Sequence, residues 1–491
     1  MLAAQRGAPP HLTPDMLEHA PELRAFVLAA GDVLPLARGA QSYAKHLTAH
    51  PEAGKSPRHP LHAMMTLPQA RVLALAMRTP NSLGLDDESN PVSNANLAGA
   101  TAVSDRGHAR VTPAALADLS LDLGVDVLSL AVEEVAATAS ASRTEKAFRR
   151  TVEWSAAALK HLAAAAAARS VDGESLAPAV LVPVEGGPHV ERRMRYVETL
   201  VSQGVFTVSA EDAPALAAAS AAAAAAAAAT AAAQGVVVPP GAPLPAPAAP
   251  APGAALVTGA ALGGLATAQS SAQRAAMAAA SLSALPASLL RATAVLGAPR
   301  EAVELVAAGL DLVTVSYPTA LADAGLAVEL PASLEELQTA AAALDSEANA
   351  SADEAKTEDA GVAVVGLDEA GLVTDVPRAF FNMRRPEHAE AAAPLQRGCA
   401  CYACRTHSRG YIHHLLNANE MLAEVLLMLH NAHAYERLWH HARAALAQGP
   451  EAWAQWSALA TRVLPAHDMQ EVLTLVAKRK VKPRDMRDAD E

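Results

Sequence analysis

Three cysteines within six residues give the chain its most chemically specific pattern. Cys399, Cys401 and Cys404 form a Cys-x-Cys-x2-Cys motif, and they are the three cysteines of the whole sequence. Structural zinc sites hold Zn²⁺ in a tetrahedron of thiolate and imidazole ligands, commonly three cysteines and one histidine. Clustered cysteines of odd number also argue against a disulfide framework and indicate a reducing compartment. The motif therefore predicts a zinc site whose fourth ligand lies elsewhere in the chain.

Five histidines that follow the motif are candidates for the fourth ligand. They are His407, His413, His414, His430 and His433. One straight helix from Cys404 to His430 would separate the two residues by about 39 Å, which excludes a shared ion. The Asn-Ala-Asn-Glu sequence at 417–420 predicts a break, because asparagine caps a new helix well. A second helix starting at Glu420 would return toward the cysteines, pinned by an apolar stripe. That stripe consists of Leu422, Val425, Leu426 and Leu429. Four protein ligands leave no open position for water, so the predicted role is structural.

The composition limits the class of protein that these residues belong to. The chain has 491 residues, with 38 Lys and Arg against 51 Asp and Glu, a net charge of −13. This charge argues against a surface that coats nucleic acid everywhere, although a local basic patch remains compatible with it. We find no stretch of about 18 large apolar residues and no secretory signal at the start. We therefore expect a cytoplasmic protein without a transmembrane segment.

Helix and strand patterns alternate along much of the chain, which predicts a parallel sheet, either open or closed into a barrel. Predicted strands cover Val125–Leu130 after a Gly124 break, Ala179–Val184, and Leu310–Tyr317 with a stop at Pro318. Between the first two strands we predict an amphipathic helix. Its stripe is Phe148, Val152, Ala156 and Leu159.

Composition shifts divide the chain into six predicted segments. The Ala/Pro-rich segment has little to bury, and the acidic Ala-rich segment is predicted to be solvated loop. The segments are the first part of the barrel at 1–206, an Ala/Pro-rich low-complexity insertion at 207–254, the second part of the barrel at 255–331, an acidic insertion at 332–375, a zinc-binding subdomain with closing helices at 376–450, and a C-terminal helix with a basic tail at 451–491.

The block from Arg397 to Asn431 resembles the zinc-binding segment of the tRNA-guanine transglycosylase family, in which the same cysteine motif is followed by a histidine 26 residues later. The resemblance is greatest to the non-catalytic subunit of the eukaryotic heterodimer, and it extends to Pro10–Thr13, Val184–Gly187 and Gly309–Pro318. It implies a (β/α)8 TIM-like barrel with a C-terminal zinc-binding subdomain and low-complexity insertions. It also implies one structural Zn²⁺ per subunit. The implied ligands are Cys399, Cys401, Cys404 and His430.

Catalytic members of the family use an aspartate to attack the ribose C1′ and a second aspartate within Asp-Ser-Gly-Gly-Phe-Gln. A carboxylate suits attack on an anomeric carbon. Catalytic members carry the nucleophile as the second aspartate of Gly-Val-Asp-Met-Phe-Asp-Cys-Val-x-Pro-Thr-Arg. Aligning this motif on Gly309–Ala320 puts Thr314 at the position of the nucleophile, and the Asp-Ser-Gly-Gly-Phe-Gln motif is absent from the sequence. Asp311 is an odd number of positions away, so on a strand it would face the other side. Glu185 stands where catalytic members carry a base-reading glutamine. Of two interpretations, a relic of the base pocket and a solvated turn residue, we favour the turn residue. The resemblance implies no catalytic residue here.

The expected function is therefore that of a non-catalytic subunit, not an enzyme on its own. By resemblance it pairs with the catalytic subunit of queuine tRNA-ribosyltransferase, its zinc subdomain near the interface. It then supports exchange of guanine for queuine at position 34 of tRNAs with GUN anticodons. Arg397, Arg405, Arg409 or the tail at 478–487 are candidates for phosphate contacts. Peripheral association with the mitochondrial outer membrane is compatible with this role. The alternatives are a self-sufficient homodimeric transglycosylase and a zinc-stabilised RNA-binding protein unrelated to base exchange.

Overall fold

Two compact units make up the chain. A computed structural model describes residues 2–4, 11–13, 15–21, 23–50, 52, 55–56, 58–67, 71–77, 100–104, 107–133, 140–169, 176–187, 189–206, 253–265, 271–295, 297–354, 366–367, 373–374 and 380–465. The first unit comprises Met1–Ala8, Arg24–Val295 and Ala308–Thr314. The second unit comprises Pro9–Leu23, Leu296–Ala307 and Val315–Glu491. The insertion at 207–252 and the basic tail at 478–487 lie outside the described residues.

The strands and helices are numbered in chain order. The strands are β1 (Leu2–Ala4), β2 (Ala25–Ala29), β3 (Val72–Ala76), β4 (Ala100–Ser104), β5 (Gly107–Val111), β6 (Val127–Ser129), β7 (Ala179–Val184), β8 (Val257–Leu262), β9 (Leu290–Ala294), β10 (Leu312–Thr314), β11 (Leu326–Val328), β12 (Gly366–Leu367), β13 (Val373–Thr374) and β14 (Phe380–Asn382). The helices are α1 (Ala30–Val33), α2 (Ala37–Ala49), α3 (Pro60–Met64), α4 (Pro113–Leu123), α5 (Ala141–Ala168), α6 (Val190–Ser202), α7 (Ser271–Ser283), α8 (Pro299–Ala307), α9 (Tyr317–Ala324), α10 (Leu334–Glu354), α11 (Tyr402–Thr406), α12 (Arg409–Asn417), α13 (Met421–Gln448) and α14 (Pro450–Val463).

An eight-stranded parallel sheet organises the first unit. Its strands are hydrogen-bonded in the order β1-β2-β3-β6-β7-β8-β9-β10, which is their order along the chain, and β4 and β5 form a separate antiparallel pair. Sequential parallel order with helices between the strands is the topology of a (β/α)8 barrel, whereas a doubly wound sheet reverses its order at a switch point. β7 is buried over five of its six residues, as expected for a strand covered on both faces. The predicted fold class is confirmed.

Local signals explain where the elements of the first unit begin and end. The hydroxyl of Thr112 accepts a hydrogen bond from the amide of Ala115 at 3.0 Å and caps α4, and Gly124 ends that helix at a φ of 63°. The strand predicted after this break, Val125–Leu130, is shorter in the structure, where β6 covers Val127–Ser129. The predicted α5 stripe is wrong at Ala156, which is exposed, whereas Trp154 is buried.

Two segments differ from their predicted structure. The strand expected over Leu310–Tyr317 covers β10 alone, because Tyr317 begins α9 and Pro318 lies in the first turn of that helix instead of ending a strand. Proline suits the first turn of a helix, where its missing N–H is not needed. The acidic segment at 332–375 is not a loop over its first part, since α10 occupies it. Ser333 and Glu336 form a capping box at its start, and the sequence carries that signal.

The second unit contains the antiparallel pair β11–β14 and a group of helices that includes α9 and α11 to α14. Its longest helix is α13, with 28 residues. Within the part of the chain that the structure describes, no helix combines the length and apolar character needed to cross a membrane.

Candidate metal centre

A tight turn brings the three cysteines together. Gly398 adopts a φ of 75° just before the motif, a backbone conformation that side chains rarely tolerate. Cys401 then caps the short helix α11, and its sulfur accepts a hydrogen bond from the amide of Cys404 at 3.3 Å. Cys401 is 3% exposed, whereas Cys399 and Cys404 are half-buried. The turn therefore holds three sulfur atoms close together, with Cys401 as the inner one.

The predicted break at 417–420 returns His430 to these sulfurs. α12 ends at Asn417 and α13 starts at Met421, so the break is where the sequence indicates. Its mechanism differs from the prediction, because Asn419 makes the turn through a φ of 57° and no side chain caps α13. The predicted stripe is wrong at Leu422, which is 36% exposed. The buried positions in that stretch of α13 are Ala423, Leu426, Leu427, Met428 and Leu429.

The distances from His430 suit a tetrahedral ion. Its Nδ1 lies 3.3 Å from the sulfur of Cys404, 3.7 Å from that of Cys401 and 3.8 Å from that of Cys399. With typical zinc–ligand lengths, a tetrahedral angle separates sulfur and nitrogen by about 3.6 Å. All four ligand atoms lie within 4.8 Å of one another, and no other such group occurs among the described residues. One ion can therefore contact all four residues.

Hydrogen bonds to β11 fix the orientation of the histidine. His430 is fully buried, and its Nε2 lies 2.8 Å from the carbonyl oxygen of Val328. A carbonyl only accepts, so Nε2 carries the proton and Nδ1 presents its lone pair to the sulfurs. The neighbouring Asn431 accepts from the amide of Val328 at 3.0 Å and donates to the carbonyl of Leu326 at 2.9 Å. Sequence reasoning missed Asn431, although a polar residue beside His430 in an apolar helix is a usable signal.

Without an ion, the four side chains compete for protons. The adjacent sulfurs of Cys399 and Cys404 raise the pKa of Cys401, whereas hydrogen bonds from Cys401 and Cys404 lower the pKa of Cys399. Burial alone would lower the pKa of His430, but its sulfur neighbours outweigh burial and raise that pKa to about 9. A divalent cation satisfies all four groups at once, because it binds thiolates and neutral imidazole together.

A ladder of four rings runs beside the cysteines in the second unit. The ring of His19 stacks on Tyr402 at 4.3 Å, Tyr402 meets His407 edge-on at 5.8 Å, and His407 stacks on Tyr411 at 5.1 Å. We call these four residues the ring ladder. Cys404, His407 and Tyr411 also line an open cleft of about 550 Å³. Residues 391–419 contain no Asp or Glu, so this segment is basic and aromatic in an acidic chain.

The three arginines predicted near this face are not equivalent. Arg397 and Arg405 are exposed. Arg409 instead donates to the carbonyls of Pro394 at 3.0 Å and Leu395 at 2.7 Å, and its guanidinium lies 4.3 Å from the ring centre of Phe381. Arg409 therefore holds the loop before the cysteines, and Arg397 and Arg405 are available to a ligand.

The carboxyl end of β10 carries a threonine. Thr314 is the last residue of that strand and is 6% exposed. Asp311 precedes the strand at its amino end, where its carboxylate accepts a hydrogen bond from the amide of Arg291 at 2.8 Å. Three residues of strand separate the two side chains by about 10 Å. Active sites of (β/α)8 barrels lie at the carboxyl ends of the strands, so Asp311 lies at the opposite edge.

Comparisons with known proteins agree with this architecture. A family model described as queuine tRNA-ribosyltransferase matches residues 251–460. The chain is similar to that family over these residues. The matched range includes both the cysteine cluster and Thr314.

The curated proteins to which this chain is similar carry two kinds of name. A Xenopus tropicalis protein named queuine tRNA-ribosyltransferase accessory subunit 2 is 32% identical over 163 residues, covering 31% of this chain and 36% of that protein. The human protein of the same name is 42% identical over 80 residues, covering 16% and 19%. A Symbiobacterium thermophilum queuine tRNA-ribosyltransferase is 49% identical over 74 residues, covering 15% and 18%. The chain thus aligns with about a third or less of these relatives' lengths.

Two buried carboxylates follow strands of the first unit, before the matched domain. Glu185 follows β7 and is 5% exposed, so its interpretation as a solvated turn residue is wrong. The Glu185 side chain occupies the space beside Gly263. A Cβ at position 263 would lie 1.8 Å from Oε1 of Glu185, so only glycine leaves room for this carboxylate. Burial lowers the pKa of the neighbouring Arg193, and the charge of Glu185 opposes that shift.

Glu133 is a second buried carboxylate, which sequence reasoning missed. It follows β6, is 1% exposed and accepts from Arg143 at 2.5 Å and Arg150 at 3.0 Å. The sequence offered one signal, a pair of glutamates at 133–134, shortly after the strand predicted to end at Leu130. Each buried carboxylate at this edge therefore lies beside arginine.

Proposed function

We propose that the chain is the non-catalytic subunit of a heterodimeric queuine tRNA-ribosyltransferase. In this role it supports exchange of guanine for queuine at position 34 of tRNAs with GUN anticodons, while a catalytic subunit performs the chemistry. One observation carries the proposal: β10 ends in Thr314, and Asp311 lies at the other end of that strand. The accessory-subunit names of several relatives support the same division of roles.

The chemistry of base exchange explains why this position matters. Displacing guanine from C1′ needs a nucleophile that is charged and aligned with the anomeric carbon. A threonine hydroxyl is a weak nucleophile unless a base removes its proton. The side chains of Glu133 and Glu185 at the same edge of the sheet interact with arginines, which supports a structural role for both. We assign no catalytic residue to this chain.

The cysteine cluster is proposed to bind one structural Zn²⁺ through Cys399, Cys401, Cys404 and His430. Three thiolates and one imidazole at these distances are the ligand set and size that Zn²⁺ prefers. When bound, the ion links the cysteine turn to α13 and, through His430, to β11. Because all four positions are protein ligands, the ion has no site for an activated water.

The ring ladder is proposed as the docking surface for the catalytic subunit. Tyrosine and histidine rings supply large contact area at low entropic cost, and aromatic residues are enriched at interface centres. Tyr411 is 40% exposed at the end of the ladder. Arg397 and Arg405 lie in the same acid-free segment and are placed to meet tRNA phosphates. The complex is proposed to reside in the cytoplasm, with peripheral association at the mitochondrial outer membrane.

Exchange of labelled guanine or queuine into tRNA tests the proposal. We expect no exchange by this chain alone, exchange when the catalytic subunit is added, and a 1:1 complex by native mass measurement. A Thr314→Asp variant tests whether the lost carboxylate suffices, and we expect it to stay inactive alone. The bacterial relatives named queuine tRNA-ribosyltransferase favour a self-sufficient homodimer as the second candidate. Exchange by the unmodified chain without a partner would establish that candidate and overturn ours.

A further inference from the structure

Asn431, the residue after His430 on α13, contacts the backbone of β11 with both ends of its side-chain amide. Its Oδ1 accepts a hydrogen bond from the amide of Val328 at 3.0 Å, and its Nδ2 donates to the carbonyl of Leu326 at 2.9 Å. A backbone amide only donates and a carbonyl only accepts, so the orientation of this side chain is unambiguous. Asn431 is fully buried. Because a buried amide is costly to leave unpaired, the two bonds fix the side chain against the strand.

These two bonds support an edge of a very short strand. β11 has three residues, and its antiparallel partner β14 lies along one edge, with Ala327 opposite Phe381. Leu326 and Val328 are two positions apart, so their backbone groups point to the same edge. One residue of a parallel neighbouring strand would bond the same carbonyl and the same amide. The side-chain amide of Asn431 therefore acts as a strand neighbour and holds the backbone of β11.

The orientation of His430 depends on the same stretch of backbone. The carbonyl of Val328 accepts from Nε2 of His430 at 2.8 Å, while the amide of Val328 donates to Asn431. Both groups belong to one residue, so a displacement of Val328 moves the carbonyl as well. An imidazole that loses this carbonyl can carry its proton on Nδ1 instead, and a protonated Nδ1 cannot bind a metal. The histidine ligand is thus oriented by a carbonyl that Asn431 keeps in place.

We propose that Asn431 is a positioning residue for the metal centre. It holds Val328 so that the carbonyl of this residue presents Nδ1 of His430 to the three sulfurs. The inference rests on the proposed zinc site, because it concerns the affinity and geometry of that site. Asn431 acts through Val328 and His430 and is not itself a ligand. Partners that orient metal ligands commonly contribute about ten- to hundredfold to metal affinity.

Metal affinity of the full chain tests this role. Asn431→Leu has a similar shape but makes neither hydrogen bond, so Val328 and Leu326 lose their partner. We expect its Kd for Zn²⁺, measured by competition with a chromophoric chelator, to rise about ten- to hundredfold. We also expect the visible absorption of the cobalt-substituted protein to change, because Co²⁺ absorption depends on the geometry of its ligands. Wild-type affinity and absorption in Asn431→Leu would overturn the proposal.

A milder variant decides the question if Asn431→Leu does not fold. Asn431→Asp keeps the shape and the acceptor for the amide of Val328, but its carboxylate has no donor for the carbonyl of Leu326. We expect its Kd for Zn²⁺ to rise by less than that of Asn431→Leu, with an altered cobalt absorption. A Kd and an absorption equal to those of the wild type would overturn the proposal here as well.

Trp456→Phe separates positioning from a general loss of stability. Trp456 is 2% exposed, and its Nε1 donates to the carbonyl of Ala332 at 2.9 Å. Its replacement removes one buried hydrogen bond of the second unit but leaves the bonds to β11 intact. We expect a lower Tm with wild-type Kd for Zn²⁺ and wild-type cobalt absorption. An equal loss of zinc affinity in this control would assign the effect to stability and overturn the positioning role.

The wild-type chain distinguishes failure of this inference from failure of the proposed zinc site. If the wild type binds neither Zn²⁺ nor Co²⁺, the site itself fails, and the role of Asn431 fails with it. If the wild type binds both ions and Asn431→Leu binds them equally well, the site stands and the positioning role alone is wrong.

Discussion

The cysteine cluster and the carboxyl end of β10 differ in what they retain. The cluster has all four side chains that one tetrahedral ion needs, each with the correct atom in reach. β10 pairs with β9, as the barrel topology requires. Its last residue is Thr314, where the family resemblance leads us to expect an aspartate in a catalytic member. A β-branched residue packs well in a buried strand, so the barrel persists without the carboxylate. A fold can therefore persist when a residue that packs equally well replaces a catalytic one. For this reason the fold does not establish activity, and each functional side chain must be checked separately.

Removing one ligand of the cluster tests the comparison most severely. In Cys401→Ser the inner sulfur is lost, and we expect loss of bound zinc together with cooperative unfolding of the second unit. Structural zinc contributes on the order of 10 kcal/mol in small domains, which exceeds the stability of most domains. Metal analysis and thermal unfolding measure both effects. His414→Gln changes an exposed histidine of α12 and should keep zinc and stability. Full zinc content in Cys401→Ser would mean that these four residues are not the ligand set.

The two regions also differ in how much of them the sequence could predict. The spacing of the cysteines fixes three ligands locally, but five histidines remained possible. His430 is selected by Asn419, which reverses the chain, and by the carbonyl of Val328, which lies 102 residues away. No local pattern contains such a contact. The alternation of helices and strands predicted a parallel sheet, open or closed, and the family resemblance selected the barrel. The structure agrees with both, since each strand pairs with its neighbours in sequence.

Burial of polar residues was the hardest property to predict. Glu185 was expected in solvent, since a glutamate before two glycines is typical of a turn. Its burial depends on the space left by Gly263, 78 residues later, and on Arg193. The helix α10 was missed for another reason, because its acidic, Ala-rich composition outweighed the capping box in our interpretation. Long-range partners explain the first error, and a neglected local signal explains the second.

Neutralising Glu133 sharpens the comparison at the sheet edge. In Glu133→Gln, Arg143 and Arg150 lose a buried partner, and we expect the first unit to lose about 1–3 kcal/mol of unfolding free energy. Exchange activity of the complex with the catalytic subunit should stay unchanged, since the carboxylate is structural. Glu153→Gln alters an exposed glutamate on the same helix α5 and should change stability little. A loss of exchange at normal stability would place Glu133 in the chemistry and contradict the comparison.

The smallest expected effect concerns pH and lies in the second unit at Glu336. Burial favours its neutral form, but hydrogen bonds from the amide of Ala332 and from Arg437 outweigh burial and lower the pKa of Glu336. A carboxyl whose pKa is lower in the folded state stabilises the fold at neutral pH, and this contribution is lost as the pH falls through the folded-state pKa. Because Glu336 is 43% exposed, solvent screens the pair and we expect less than about 1 kcal/mol.

Denaturation of Glu336→Gln at several pH values measures this contribution. The variant should be less stable than wild type at pH of about 7, and the difference should shrink as the pH falls through the folded-state pKa of Glu336, because the wild-type carboxyl then becomes protonated. Glu335→Gln, an exposed neighbour in the same first turn of α10, keeps the capping box and provides the control. A constant difference at all pH values would assign the effect to helix capping alone and exclude the ion pair with Arg437. A difference confined to neutral pH would show that the second unit depends on charge at its periphery as well as on its cysteine cluster.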